Sequence, residues 1–320
     1  MSEGGQATRG AVMKAVLFEH YGSPDVLGFQ DIPIPEPEAG QIRVRIHAST
    51  VNRTDTATVR AHPFFARAMT GWLRPRFPST GMEFAGEVDA VGAGVTRFRP
   101  GDRVFGLSPT MFGTHAEYFC CPANGPVAAM PQGLSFGEAV VAEGAWYAYG
   151  TTKLLTTGDR ALIYGASGAI GTAAVQLAKV AGAEVTAVVG TRHMDLAADL
   201  GADRVINYQT EDFTNIGESF DLVFDAVGKT SYFACRKLLK PDAVYCATDL
   251  GPFWSNIWLG AWFALTGSKR VRVPFPEDAE GFVRDLAGLM SEGDYRGVFD
   301  RHFAFDDIKD AFRYVETGQK

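Results

Sequence analysis

Three glycines spaced three residues apart, Gly165, Gly168 and Gly171, follow the apolar run Ala161-Leu-Ile-Tyr164 and open directly into Thr172-Ala-Ala-Val-Gln-Leu-Ala-Lys179. A strand that feeds such a turn into a helix lets backbone N–H groups approach a diphosphate closely, and the helix N-terminus adds partial positive charge. The stretch Gly165, Ala166, Ser167, Gly168, Ala169, Ile170 and Gly171 is therefore expected to hold the diphosphate of a dinucleotide. A glycine-rich turn with no ligand is the plainer alternative.

A dinucleotide with a free ribose 2′-hydroxyl calls for a carboxylate at the end of the second strand, about 20 residues on. That strand is read at Glu184–Val189, and its exit is Gly190-Thr191-Arg192-His193, with no acid before Asp195. Arg192, with Thr191 to donate a hydrogen bond and His193 beside it, suits a 2′-phosphate, which an acid would repel. The expected cofactor is NADPH. The competing reading makes Arg192 a solvated surface charge. Tyr208, closing the third strand, is placed near the adenine.

These residues need a parallel sheet to position them. After Pro131 apolar strand-like runs alternate with helical ones, which means βαβ units and a sheet covered on both faces. A helix is expected over 135–155, capped by Ser135 with Glu138 three residues on. Further helices are expected over 172–181, 194–200, 231–239, 279–292 and 306–316, with strands over 161–164, 184–189, 204–207, 221–226 and 244–247 and a strand-like 300–305. From Met13 to Cys121 short strands are separated by Pro and Gly, as in Ile32-Pro-Ile-Pro-Glu-Pro37, where proline excludes helix. Between them, 56–76 is expected to be a loop with one short helix, bordering the site.

The composition sets limits. The 320 residues suggest two domains, and the 36 glycines, without a collagen period, serve turns and close approaches. A net charge of −7 argues against general binding to nucleic acid or to anionic membranes, which needs a basic face. Cys120, Cys121, Cys235 and Cys246 form no C-x-x-C pair and no zinc cage with the histidines, so a reducing cytoplasm is expected. The apolar run 252–265 is too short to span a bilayer, which takes roughly 20 residues. Its aromatics Phe253, Trp254, Trp258 and Trp262 recur about once per helical turn and read as a core helix, a subunit interface or a pocket wall. Residues 1–12, polar and Gly-rich, are expected to be a disordered leader.

In order along the chain, Val51-Asn-Arg-Thr-Asp55, Gly81-Met-Glu-Phe-Ala-Gly-Glu-Val88, Gly113-Thr-His-Ala-Glu-Tyr118, the glycine turn, Leu200-Gly-Ala-Asp-Arg-Val-Ile-Asn-Tyr208 and Phe224-Asp-Ala-Val-Gly228 resemble the medium-chain dehydrogenase/reductase superfamily, and most of all its zinc-independent, quinone oxidoreductase-like branch. The resemblance implies an α/β fold: a GroES-like β-rich catalytic domain (13–130), a Rossmann domain with a doubly wound parallel sheet (131–272), and a C-terminal return to the first domain (273–320), with the cofactor in the cleft between them. It implies a final strand beyond Thr317-Gly-Gln-Lys320 and a homodimer through the Rossmann domain. Cofactor contacts are assigned also to Ala226, Val227, Gly228 and Thr248.

Zinc-dependent relatives carry cysteine where this chain has Asn52 and histidine where it has Met82, both poor Zn²⁺ ligands, so no metal is expected; Glu143, near the third ligand position, does not make a site alone. The resemblance implies hydride transfer from NADPH to a quinone or an α,β-unsaturated carbonyl. Asn52 resembles the asparagine that hydrogen-bonds near the nicotinamide, or is a turn residue after a strand. Asp55 is grouped with Asn52 and Tyr147 as a catalytic residue, expected to order the loop rather than to transfer protons. Tyr147 stands where relatives have threonine, as a donor or general acid, or as a packed aromatic. His115 and Trp146 are weaker candidates. The expected partner is a small carbonyl or quinone substrate, with neither nucleic acid nor membrane. A nucleotide-binding regulatory protein with vestigial catalysis, a reductase for carrier-bound enoyl groups and a zinc-type alcohol dehydrogenase, the last disfavoured, are the alternatives.

Overall fold

The computed structural model describes residues 11–62, 64, 67–266, 270–273 and 278–318. The chain divides into two compact units, residues 1–140 with 299–320, and residues 141–298.

Unit 1 is built on an antiparallel five-stranded sheet in the order β6-β3-β4-β5-β7, with β3 at Gln41–Ala48, β4 at Glu83–Val91, β5 at Arg103–Leu107, β6 at Tyr118–Pro122 and β7 at Val127–Ala129. Alternation in β3 sends Ile42 and Val44 into a core with Phe84, Val88 and Val104, while Arg43 and Arg45 point away. A separate hairpin pairs β1 (Val12–Leu17) with β2 (Gly28–Pro33). Of the expected leader, residues 1–10 lie outside the described residues, while Ala11 and Val12 already belong to this hairpin, with Ile34 N–H donating to Ala11 O at 3.0 Å. Two short helices, α1 (Arg53–Arg60) and α2 (Arg67–Thr70), fill part of the segment expected to hold one.

The expected helix 135–155 is broken. Ser135 and Glu138 do form their capping box, but it starts only the four-residue α3 (Phe136–Ala139); Val140 and Val141 leave helical geometry, and α4 runs over Ala142–Thr152. Two successive β-branched residues disfavour helix and permit the break. Phe136 stacks on His47 at 4.3 Å, which keeps α3 in unit 1, so the chain passes from one unit to the other at 140/141 rather than at 130/131.

Unit 2 is a six-stranded, wholly parallel sheet: β8 (Arg160–Tyr164), β9 (Glu184–Val189), β10 (Arg204–Asn207), β11 (Phe220–Asp225), β12 (Leu239–Ala247) and β13 (Val271–Arg272). Its order is β10-β9-β8-β11-β12-β13, so the order reverses between β8 and β11, the place where such sheets bind nucleotides. The central strands have buried apolar middles, Ala161-Leu-Ile163 in β8 and Leu222-Val-Phe224 in β11, because both faces are covered. Helices α5 (Ala169–Val180), α6 (Met194–Asp199), α7 (Tyr232–Cys235), α8 (Ser255–Leu265) and α9 (Ala279–Glu292) connect or flank them. The expected helix 231–239 closes early, because α7 passes into a 3-10 turn at Arg236–Leu238.

The expected return to the first domain at 273 begins later, at 299. Tyr149 packs at a tilt against Phe282 at 5.2 Å, and Gln176 exchanges two hydrogen bonds with the Arg296 backbone, of 3.1 and 2.9 Å, which hold α9 and its exit in unit 2. Residues 300–305 form no strand; a 3-10 turn at Phe305–Asp307 leads into α10 (Ile308–Glu316). There Ile308 and Phe312 join Val16, Phe18, Leu27 and Val59 in a buried cluster of unit 1. The core-helix reading of 252–265 is overturned. Phe253 and Trp254 take left-handed backbone, at φ 51° and 60°, and Phe253, Trp254, Trp258 and Trp262 face outward, while Ser255, Asn256 and Leu259 are buried and Phe263 packs against the core.

Candidate active site

The three glycines of the turn do three different things. Gly165 has φ +79°, which side-chain-bearing residues rarely adopt, and a Cβ there would meet Val227 at 2.5 Å. A Cβ on Gly171 would lie 2.1 Å from Gly165 O, so only glycine lets α5 pack on the turn. Gly168 has no such constraint: its φ is −80°, and the only neighbour a Cβ would meet within 4 Å is Gly165 O, at 3.7 Å. The open space beside Gly168 is where a diphosphate has room to approach.

Gly168 is also the N-cap of α5 and brings no side chain to cap it. Helix geometry gives the N–H groups of Ala169, Ile170 and Gly171 no carbonyl partner within the helix, so they are donors for an anion. Ala166 plays another part: its side chain is buried and its N–H donates to Val188 O at 3.3 Å, so it packs the turn. Gly144 on α4 lies against Ala169, where a Cβ would meet the Ala169 carbonyl at 2.8 Å, and this close approach sets α4 on the first turn of α5.

The exit of β9 gathers Thr191, Arg192, His193 and Tyr208. Thr191–His193 form a 3-10 turn in which Thr191 donates to Gln209 Oε1 through both N–H and hydroxyl, at 3.0 and 2.8 Å, and accepts from Asn207 Nδ2 at 2.8 Å. Asn207 and Gln209, missed in the sequence, thus lock the turn. Arg192 is exposed, and among the described residues no carboxylate pairs with it. The Tyr208 hydroxyl lies 3.3 Å from where a Gly190 Cβ would stand, so the ring covers the start of the same turn.

The turn after β11 is organised by Asp225, another residue missed. Its buried carboxylate accepts from the N–H groups of Val227 (3.1 Å), Gly228 (2.8 Å) and Thr230 (2.8 Å). Burial pushes this carboxyl above its ordinary value against the opposing pull of those N–H groups. Thr248 N–H donates to Asp225 O at 3.1 Å, so Ala226, Val227, Gly228 and Thr248 meet at the ends of β11 and β12. The signal was present: Asp-x-x-Gly after an apolar strand is an Asx turn.

Unit 1 brings together Asn52 and Asp55 with two residues that the sequence reading passed over, Thr50 and Glu83. Asp55 is buried and uses both oxygens, accepting from Asn52 N–H at 2.9 Å and Gly81 N–H at 2.8 Å. It orders the corner at the start of α1. Asn52 Nδ2 donates to Thr50 Oγ1 at 2.8 Å and, longer, to Glu83 Oε1 at 3.4 Å, and the Thr50 hydroxyl donates to the same Glu83 oxygen. Next to it, His115 has both ring nitrogens engaged, Nδ1 with Thr80 Oγ1 at 2.7 Å and Nε2 with Thr50 O at 2.8 Å, and it serves the corner as a brace. Tyr147 lies half-buried on α4 in unit 2, tilted against Trp146 at 6.1 Å; Trp146 Nε1 has no hydrogen-bond partner among the described residues.

Among the described residues no group of three His, Cys, Asp or Glu side chains is placed to hold a metal ion. The four cysteines are unbridged, and burial pushes Cys120 and Cys235 up to about 11 and Cys121 and Cys246 up to about 12, so none is a thiolate near neutral pH.

Comparison with known proteins fits this geometry. Residues 38–132 match the family described as alcohol dehydrogenase GroES-like domain, and 200–320 the one described as zinc-binding dehydrogenase. The chain is 32% identical to a chloroplastic quinone-oxidoreductase homolog of Spinacia oleracea over 96% of each chain. It is 32% identical to the 2-methylene-furan-3-one reductase of Solanum lycopersicum, over 96% of this chain and 77% of the relative. The quinone oxidoreductase structure from Coxiella burnetii superposes with a TM-score of 0.83 at 28% identity, covering 97% of each chain. A GroES-like unit, a parallel sheet reversing at the glycine turn, and relatives 32% identical over 96% of this chain have one explanation: the chain belongs to the medium-chain dehydrogenase/reductase superfamily, a family of oxidoreductases that bind a nicotinamide cofactor.

Proposed function

We propose that the protein is an NADPH-dependent, metal-free reductase of quinones or α,β-unsaturated carbonyl compounds. The observation that carries this reading is the β9 exit, where Arg192 is exposed with no carboxylate partner among the described residues, stands beside a locked Thr191, and no acid takes the ribose position. Relatives named for quinone and enone reduction support the substrate class. Four unbridged thiols support a cytoplasmic location, and the family resemblance supports a homodimer.

The chain's own groups divide the work. The first-turn N–H groups of α5 would hold the diphosphate and Arg192 the 2′-phosphate; Thr191, expected to donate to that phosphate, spends its N–H and hydroxyl proton on Gln209 and instead fixes the turn that carries Arg192, and Tyr208 would cover the adenosine end. The bound nicotinamide supplies hydride. Asn52, its amide fixed by Thr50 and Glu83, is preorganised to hydrogen-bond without moving during reaction. The Tyr147 phenol is assigned as donor to the oxygen that gains charge as the substrate is reduced, and solvent returns its proton.

Following NADPH absorbance with a panel of quinones and enones tests the activity; tight NADPH binding with no turnover on any acceptor would overturn it. For the cofactor, Arg192→Ala is expected to weaken NADPH binding about ten- to a hundred-fold while leaving NADH nearly unchanged, the loss typical of a charged hydrogen bond. An unaltered NADPH/NADH ratio removes Arg192 from the role.

A further inference from the structure

The aromatic face of α8 takes no part in the site above. Phe253 is 97% and Leu265 85% exposed, and Trp254, Trp258 and Trp262 are each more than half exposed. Phe233 on α7 extends the face, its ring 6.2 Å from Trp258. Three of the five tryptophans of the chain are on this one surface. Arg236 and Lys237, directly after α7, are exposed, and Arg270 and Arg272 lie on or beside β13, against which α8 packs. Among the described residues none of these four cations has a carboxylate partner.

The charge is unevenly placed along the chain. Over 226–272 seven Lys and Arg outnumber two Asp, although the whole chain is at −7. The global sum therefore says little about this face. A second stretch of the same chemistry lies in unit 1, where Trp72 and Leu73 are exposed beside Arg74 and Arg76 and no acid occurs from 56 to 82.

We infer that the α7–α8 face of unit 2 docks peripherally on an anionic lipid bilayer. Exposed Trp, Phe and Leu with a cationic rim is the composition that settles at the headgroup boundary, Trp in the interface and Lys/Arg against acidic lipid. The helix lies on the surface and does not cross, because no helix among the described residues is long and apolar enough to span. A second copy of the chain fits less well: facing two such surfaces together sets cation against cation, whereas acidic headgroups complement both. The outer edge of β13, the terminal strand, remains a separate surface for self-association.

The test is flotation of the intact protein with phosphatidylcholine vesicles, with and without phosphatidylglycerol. Binding is read directly, without turnover, so failure of the reductase reading leaves it standing. The wild type is expected to float only with the phosphatidylglycerol vesicles and to be released by high salt. Arg236→Glu with Lys237→Glu should weaken partition at least roughly thirty-fold, at about a kcal/mol per basic residue. Trp258→Ser with Trp262→Ser should weaken it at least about ten-fold, both pairs retaining wild-type far-UV circular dichroism. No flotation by the wild type, or flotation unchanged in both double variants, overturns the proposal. So does a shift from dimer to monomer in the Trp variants without lipid binding by the wild type, which would make the face a subunit contact.

Discussion

The glycine turn of unit 2 and the Asn52 corner of unit 1 are the two places where the proposed reaction meets the protein, and they are made from opposite materials. The turn is backbone: two glycines permit its shape, and the third leaves space beside helix N–H groups. The corner is side chain: Asp55, Glu83, Thr50 and His115 brace one another and Asn52 from segments as far apart as Thr50 and His115. A site made of backbone binds any ligand with a diphosphate, whereas one held by a hydrogen-bond network fixes a single amide. The first tolerates no added atom in its frame; the second tolerates no lost acceptor.

The largest effect should come from the frame of the turn. Gly171→Ala places Cβ 2.1 Å from a backbone oxygen and 2.7 Å from a backbone Cα, neither of which is free to move. It is expected to cost more than about 3 kcal/mol in urea unfolding, at the upper end of overpacking. Gly168→Ala is its control. With nothing nearer than 3.7 Å, it should unfold like wild type yet bind NADPH at least about ten-fold more weakly by fluorescence titration, since the added methyl takes the ligand's space. If Gly168→Ala binds NADPH normally, the turn is structural only and the contrast fails.

In the corner, Asp55→Ala leaves the N–H groups of Asn52 and Gly81 without their acceptor, and about 2 kcal/mol of stability should be lost. Asp55→Asn, which keeps one carbonyl acceptor, should recover part of it. Asn52→Ala should behave differently, losing less than about 1 kcal/mol because the Asp55 contacts remain, but lowering kcat about a hundred-fold if the amide acts in the transition state. A stability loss in Asn52→Ala equal to that of Asp55→Ala would mean that Asn52 is a turn residue after all.

The same contrast explains what could be read from the chain. β9 and β10 fall on the expected Glu184–Val189 and Arg204–Asn207, because β-branched runs, long and buried in β9 and only Val205-Ile206 in the edge strand β10, are bounded by polar turns. The glycine turn was legible because its meaning is local. Glu83, Thr50 and Asp225 were not, because their roles depend on hydrogen bonds that only tertiary structure creates, although Asp225 left its Asx-turn trace. Periodicity misled at 252–265: aromatics one helical turn apart mark a helix face, but nothing in the spacing says whether that face is covered. The helix break at Val140–Val141 was hidden by a correct cap at Ser135, which reports where a helix starts and not how long it runs.

The smallest effect tests how far the bracing of the corner reaches. α1 begins at the Asn52 corner and ends at Arg60, whose guanidinium donates to both Glu316 oxygens of α10, at 2.6 and 2.7 Å. That hydrogen bond from Arg60 holds the Glu316 carboxyl below its ordinary value. A lowered folded-state pKa means that the pair stabilises above the unfolded value near 4.5, and that this contribution is lost as pH falls through the folded one. Because both groups are partly solvated, screening limits the gain to about 0.5 kcal/mol. Glu316→Gln should therefore be less stable than wild type by that amount at about pH 7, and the two should converge as pH falls through the lowered folded-state value. Activity should be unchanged, because Asp55 pins the other end of α1 independently of Arg60. A fall in kcat in Glu316→Gln would show that the corner is braced through the whole helix, and the line drawn between a local backbone turn and a local side-chain network would have to be redrawn with α10 on the side of the site.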